Sequence, residues 1–240
     1  MSSYPDFELL AWDSEFFGFP VARMRDALEP QRLPETLCQL RARGARVAYW
    51  MPERTPMAER AAQVGGATRA GARVTFVHEL APATSAAAPA RVEPYRGAVQ
   101  DPELMRLGVI AGRLSRFAVD PRFPSGSAER MYRIWIERSV RGEIADTVLV
   151  ARADSGALTG LVTLAADGQT GEIGLLAVDE EARGAGVGRA LVEAALARFR
   201  SAGRRRAQVA TQADNAAACR LYEACGFDRA REQTVFHFWL

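Results

Sequence analysis

Residues 173–199 read IGLLAVDEEARGAGVGRALVEAALARF, and this stretch decides the fold class. Ile173 to Val178 is a short apolar run with strand character, and the residues from Arg189 onward place Leu, Val and Ala at helical spacing. Between them lies DEEARGAGVG, with glycines at 184, 186 and 188. Glycine admits left-handed backbone and lets main-chain N–H groups approach a ligand closely. The first turn of the helix adds unpaired N–H groups and the positive end of the helix dipole, so the strand, loop and helix together predict a phosphate cradle. A P-loop requires Lys followed by Ser or Thr after its last glycine, and here Arg189 and Ala190 follow. A dinucleotide fingerprint requires a different glycine spacing. The string that remains is Arg183-x-x-Gly186-x-Gly188.

Working outward, DTVLVARA and LTGLVTLAAD are strand-like runs joined by the turn signal DSGA, which predicts an antiparallel hairpin. RAQVAT and QTVFHFWL read as strands, and NAAACRLYEACGF as a helix closed by Gly226. Strand, helix and strand in succession predict an α/β (α+β) domain with one parallel crossover. LAPATSAAAPARVEPY, residues 80–95, replaces periodic apolar residues with Pro, Ala, Ser and Thr and reads as a linker. The expected organisation is an N-terminal unit of residues 1–80, a linker of 81–94 and a larger unit of 95–240. A shift of 160 positions lays Met57–Leu80 on Ala217–Leu240 without a gap and matches Ala58, Arg60, Gly66, Arg69, Ala70, Phe76 and Leu80 with identical residues. The N-terminal unit is therefore expected to be a partial copy of the C-terminal one.

Composition narrows the function classes. Of 240 residues 48% are hydrophobic and 25% charged, which suits a packed soluble domain. Thirty-one basic against 29 acidic residues leave +2, so neither nucleic acid nor an anionic membrane is an expected partner. The basic run Arg204–Arg206 reads as a solvated strand entry. Cys38, Cys219 and Cys225, with His78 and His237, lack the spacing of a metal site or disulfide framework, so no metal is expected. No apolar run reaches the ~18 residues of a membrane span, and the opening residues lack a secretory layout. The expected location is the reducing cytoplasm.

The Arg183-x-x-Gly186-x-Gly188 string, with its strand, helix and later tyrosine helix, resembles the pyrophosphate loop of the GNAT superfamily of N-acetyltransferases, (Gln/Arg)-x-x-Gly-x-(Gly/Ala). The resemblance implies a central mixed, splayed sheet flanked by helices, with the smaller N-terminal domain a partial copy of that fold. It implies acetyl-CoA as cosubstrate, its pantetheine beside the backbone of Leu176, Ala177 and Val178, and its pyrophosphate on Arg183, Gly184, Ala185, Gly186, Val187, Gly188 and Arg189. Asn215 stands where such enzymes place an amide against the pantetheine, and reads equally as a helix N-cap. Tyr222 stands where the resemblance places the general acid for the departing thiolate; a packing role for its ring is the alternative. Glu172 is a weaker choice as base.

LAWDSEFFGFPVARM, SRFAVDPRFPSG and QVATQADNAAACRLYEACGF further resemble the TDP-fucosamine acetyltransferases within that superfamily. This implies a nucleotide-linked amino-sugar as acceptor, with Arg116 on its pyrophosphate and Phe117 beside the sugar or base. A homodimer is carried as a further partner. Protein or peptide N-terminal acetylation and a non-catalytic acyl-CoA-binding module remain the alternatives.

Overall fold

The computed structural model describes residues 6–81 and 92–240. In chain order the first part holds β1 (Phe7–Leu9), α1 (Ala11–Phe17), β2 (Val21–Met24), α2 (Leu33–Ala42), β3 (Val47–Trp50), α3 (Pro56–Val64) and β4 (Thr68–Glu79). The second part opens with β5 (Val92–Pro94), α4 (Pro102–Gly112), α5 (Arg116–Val119), α6 (Ser127–Val140) and the hairpin β6 (Thr147–Arg152) and β7 (Leu158–Asp167). It closes with β8 (Thr170–Val178), α7 (Val187–Ser201), β9 (Arg206–Gln212), α8 (Ala216–Ala224) and β10 (Asp228–Trp239). Residues 82–91 of the expected linker lie outside the described residues.

All ten strands form one mixed sheet in the order β1-β2-β3-β10-β4-β9-β8-β7-β6-β5. β8 and β9 run parallel through the α7 crossover, as the sequence predicts, and β2 and β3 run parallel through α2. The order at the centre is less obvious from the chain. β10, the last strand, lies between β3 and β4, and β4 lies between β10 and β9. Each half thus lends its final strand to the other half's sheet. The two lent strands pair antiparallel about Arg73 opposite Gln233, positions separated by 160 residues. Phe236 opposite Arg69 is matched by Arg229 opposite Phe76, the same two positions with the halves exchanged. The caps follow the same offset: Thr55 Oγ1 accepts from Ala58 N at 3.2 Å and Asn215 Oδ1 from Ala218 N at 3.2 Å. These pairings support the proposed repeat.

Alternation sorts the helices to two faces. Val74, Phe76, Ile173 and Val209 bury one face of the sheet with Leu191, Leu196 and Phe199 of α7 and Cys219 and Tyr222 of α8. On that face Trp50, Phe236 and Phe238 meet Leu37 and Leu40 of α2 and Ala62 of α3. On the opposite face α4 and α6 cover β6 to β8 through Leu104, Leu107 and Ile136. α1, α5 and α6 cover Val21, Val47 and Tyr49 of β2 and β3 through Phe17, Phe117 and Met131. Between these two covered areas the opposite face keeps a half-buried polar strip over β9, β4 and β10.

Candidate active site

The site forms where the sheet opens. β8 pairs with β7 along its length, but with β9 only from Thr170 opposite Arg206 to Ile173 opposite Val209. Beyond that point β9 continues beside β4, with Ala210 opposite Thr75 and Gln212 opposite Arg73. Leu176, Ala177 and Val178 keep β7 partners in Val162, Leu161 and Gly160, while their other edge faces the gap. An unpaired strand edge offers main-chain N–H and C=O groups to an extended ligand.

A bulge sets the direction of that edge. Between Val162 opposite Leu176 and Leu164 opposite Ile173, Thr163 alone faces both Gly174 and Leu175. The buried Thr163 Oγ1 accepts from Leu175 N at 2.8 Å, satisfying the N–H that the bulge removes from the ladder. A Cβ on Gly174 would lie 2.7 Å from that oxygen, so the close approach needs glycine. After the bulge Leu175 and Ala177 face α4 and α6, whereas Leu176 and Val178 face α7.

The loop that follows has the glycine conformations its sequence implies. Gly184 and Gly186 take φ values of 80° and 81°, and Gly186 caps α7. Gly188 serves packing: a Cβ there would lie 3.2 Å from Leu221 and 3.5 Å from Val178, so its absence brings α7 close to α8 and β8. The first-turn N–H groups of α7, on Val187, Gly188 and Arg189, have no carbonyl inside the helix to meet. Arg183 lies 3.9 Å from Glu180 and Arg189 2.9 Å from Glu193, so both guanidinium groups are tethered beside the loop. Arg106 pairs with Asp179 and Arg113 with Glu180. A cavity of about 270 Å³ lies on the other side of this loop from the gap, between Gly186 and Val187 and residues Val92, Ala151 and Thr159 of β5, β6 and β7.

Tyr222 packs beneath the splay, its ring 5.7 Å from Phe76 and 5.9 Å from Phe227. Burial, with Cys219 and Cys225 beside it, pushes its phenol well above the ordinary tyrosine range. Among the described residues nothing hydrogen-bonds its hydroxyl. Asn215 caps α8 two turns earlier, so the capping reading is realised in the geometry.

Leu176, Val178, Val187 and Tyr222 thus pack in one cluster, with residues 179–189 following β8 and Asn215 following β9, whereas Arg116 and Phe117 lie elsewhere. Arg116 is on the opposite face, its guanidinium 3.9 Å above the Tyr49 ring and 4.5 Å from the Phe117 ring. Burial lowers the Arg116 pKa, its Nη1 has no hydrogen-bond partner, and the Asp13 carboxylate lies beside both Arg116 and the Tyr49 hydroxyl. Phe117 is buried against Phe17 and Phe123. Nearby, His237 Nδ1 bonds Asp120 Oδ2 at 2.8 Å, and Trp239 Nε1 donates to the same oxygen at 3.0 Å.

Sequence reasoning missed the polar strip. Glu172 accepts from Gln208, and Arg73, Arg231 and Gln233 continue the same face toward β3. The alternation of β4 and β10 marks these positions as outward, but the chain alone does not say that the two strands are neighbours. Among the described residues no group of His, Cys, Asp and Glu could hold a metal ion, and no helix is long and apolar enough to cross a membrane.

Residues 113–227, which contain the splay, the glycine loop and α8, match the family described as Acetyltransferase (GNAT) family. This segment is a GNAT acetyltransferase domain. A dTDP-fucosamine acetyltransferase of Escherichia coli O6:H1 is 36% identical over 126 residues, 52% of this chain and 53% of that protein. A mycothiol acetyltransferase of Thermobispora bispora is 48% identical over 64 residues, 27% of this chain and 22% of that protein. The matches therefore span about a fifth to a half of these curated relatives. A GCN5-related N-acetyltransferase from Sphaerobacter thermophilus superposes with a TM-score of 0.64 at 16% identity, covering 97% of this chain and 75% of that one. A tandem GNAT protein from the clavulanic acid biosynthesis pathway superposes with a TM-score of 0.56 at 18% identity, covering 92% and 75%. The fold is the α/β GNAT fold, a mixed open sheet flanked by helices.

Proposed function

We propose that this chain transfers the acetyl group of acetyl-CoA to the primary amine of a nucleotide-activated amino-deoxysugar. The observation that carries the reading is the free edge of Leu176–Val178 meeting a left-handed glycine loop at a helix N-terminus, with the unpartnered Tyr222 hydroxyl packed beneath. Residues 183–189 would hold the pyrophosphate mainly through main-chain N–H groups, and the β8 edge would hold the pantetheine. The residues present fit such a ligand: its phosphates meet N–H donors and its amide chain meets an open strand edge.

In the proposed reaction the amine nitrogen bonds to the thioester carbon, the C–S bond breaks, and the amine gives up one proton as the sulfur gains one. A main-chain N–H of the β8 edge would stabilise the carbonyl oxygen as it becomes negative. Tyr222, kept protonated by burial, would supply the proton to the sulfur. Arg116 and Phe117 are proposed on the acceptor side; with Arg116 Nη1 buried, its contact requires a ligand group that reaches as deep as the Tyr49 ring. The amino-sugar class rests on the likeness to the dTDP-fucosamine acetyltransferase across half of each chain.

The test is thiol release from acetyl-CoA with nucleotide-linked 3-amino and 4-amino sugars against peptides bearing free N-termini. Turnover confined to the amino-sugars supports the proposal. Turnover confined to peptides transfers the site to N-terminal acetylation, and acetyl-CoA binding without release with either acceptor leaves a binding module.

A further inference from the structure

Arg73, Arg231 and Arg23 lie on the same face of the sheet, on β4, β10 and β2, at the end of the polar strip away from Glu172. Their neutralisation is uneven. Asp26 receives Arg23 at 3.3 Å, Arg231 at 3.4 Å and the Gln233 amide at 2.8 Å, so one carboxylate serves three donors. Arg231 has a second acid in Glu53. Arg73 has neither: its hydrogen bond runs 3.4 Å to the neutral Gln233 Oε1, at the outer limit of such bonds. It is nevertheless half-buried, and burial, with Arg23 and Arg231 pushing the same way, lowers its pKa against the pull of Asp26 and Glu172. A guanidinium that is half out of water with its N–H fork mostly unmet is built to receive two oxygens at once.

Position gives the class of ligand. β9 borders the gap and β4 is the next strand, so at about 4.8 Å per strand Arg73 stands roughly 7–10 Å across the sheet from the middle of the gap. That is the scale of a sugar ring with a phosphate on its far carbon. The glycine loop and Tyr222 lie on the α7 face, while the strip lies on the other, so the two ligands would meet through the splay without competing for one surface. We propose that Arg73, assisted by Arg231, is the anion subsite for the diphosphate of the acceptor. This rests on the amino-sugar reading and deepens it: the strand lent by the N-terminal half supplies the specificity of the catalytic half. Diphosphate oxygens accept from the Arg73 fork, and no covalent change occurs there.

The experiment is calorimetric titration of the full chain with thymidine diphosphate, inorganic pyrophosphate and thymidine. Arg73→Gln and Arg231→Gln are compared with wild type, and Arg73→Lys serves as the charge-retaining variant; thermal melts verify that each is folded. Wild type should bind thymidine diphosphate and pyrophosphate but not thymidine. Arg73→Gln should weaken both by roughly ten- to hundredfold, the loss expected for a charged hydrogen bond, with Arg73→Lys recovering part of it. Equal binding by wild type and both glutamine variants overturns the subsite, as does binding of thymidine alone. Thiol release with amino-sugars is measured separately. If it fails while diphosphate binding still depends on Arg73, the acceptor reading falls and the subsite stands; if it succeeds with an unchanged acceptor KM in Arg73→Gln, the subsite falls and the reading stands.

Discussion

Thr163→Val tests whether the β8 edge is shaped by a side chain. Valine matches threonine in outline but offers no acceptor, so the half-buried Leu175 N–H, now bonded at 2.8 Å to Thr163 Oγ1, would lose its partner. Leaving a fully buried donor unmet costs about 1–3 kcal/mol, and for a half-buried one the lower end, about 1 kcal/mol, applies. In a chain of this size each kcal/mol lowers Tm by about 2–4 °C, so the expected fall is about 2–4 °C. The bulge would relax toward regular pairing, carrying Leu176–Val178 out of line with the gap, and kcat should fall more than the acetyl-CoA KM rises. Thr163→Ser keeps the oxygen and should recover kcat despite losing a methyl group. Gly174→Ala attacks the same contact from the other strand, since its Cβ would stand 2.7 Å from Thr163 Oγ1. Thermal unfolding, thiol-release kinetics and hydrogen exchange at the Leu175 amide together read the outcome. A valine variant with unchanged Tm and an equally protected Leu175 amide would refute the idea that the hydroxyl holds the bulge.

Three further outcomes rest on the geometry of single residues. Tyr222→Phe keeps the ring against Phe76 and Phe227 and should lower kcat with little change in acetyl-CoA binding; full activity in kinetics returns the tyrosine to a packing role. Gly186→Val forces a β-branched residue to a φ of 81° and should raise the acetyl-CoA KM strongly in a chain that still melts cooperatively; an unchanged KM counts against the cradle. His237 is buried, which with the Arg116 charge lowers its pKa to about 4 despite the Asp120 hydrogen bond. The unfolded chain takes up that proton near the ordinary value of about 6.5, so stability should fall as pH drops below about 6.5 and this dependence should end near 4. His237→Gln should flatten that part of the stability curve, and an unaltered slope in denaturant titrations would assign the dependence to another group.

Glycine and capping residues made the loop and α8 legible in the sequence because each constrains its own backbone. Gly184 and Gly186 are left-handed where the spacing asks for it, and Asn215 caps the helix it precedes. The side chains that lie far apart in the chain were not legible in the same way. Thr163 reads as any buried strand threonine until the bulge opposite it is known. Arg116 reads as a contact to the acceptor's pyrophosphate, but the aromatic rings of Tyr49 and Phe117, from separate elements, enclose it. Arg73 reads as a solvent-facing strand position because its neighbours Gln212 and Gln233 come from strands more than a hundred residues away.

The exchange of terminal strands explains why the 160-residue likeness is visible where it is. β4 and β10 must satisfy one another's register, so a change on one side of the Arg73 and Gln233 pair meets its counterpart on the other. The two irregularities in the ladder obey this: β10 skips Ala230 between Arg229 and Arg231, and β4 departs from regular pairing around Ala70, the residue 160 positions earlier. α3 and α8, which lead into these strands, span 56–64 and 216–224, again at the same offset. By contrast, the first strands of the two halves, β1 and β5, lie at the two ends of the sheet, far from the shared centre, and meet no such mutual constraint. Their sequences are free to diverge, so the N-terminal half can lack a glycine loop while its last strand still completes the catalytic sheet. A single substitution can test the coupling: Gly71→Val places a β-branched residue at a φ of 112° within the β4 irregularity. If the lent strand is integral to the site, this change in the N-terminal half, whose side chain would meet Gln212 of β9, should raise the acceptor KM; unchanged kinetics in a destabilised chain would confine β4 to a structural role.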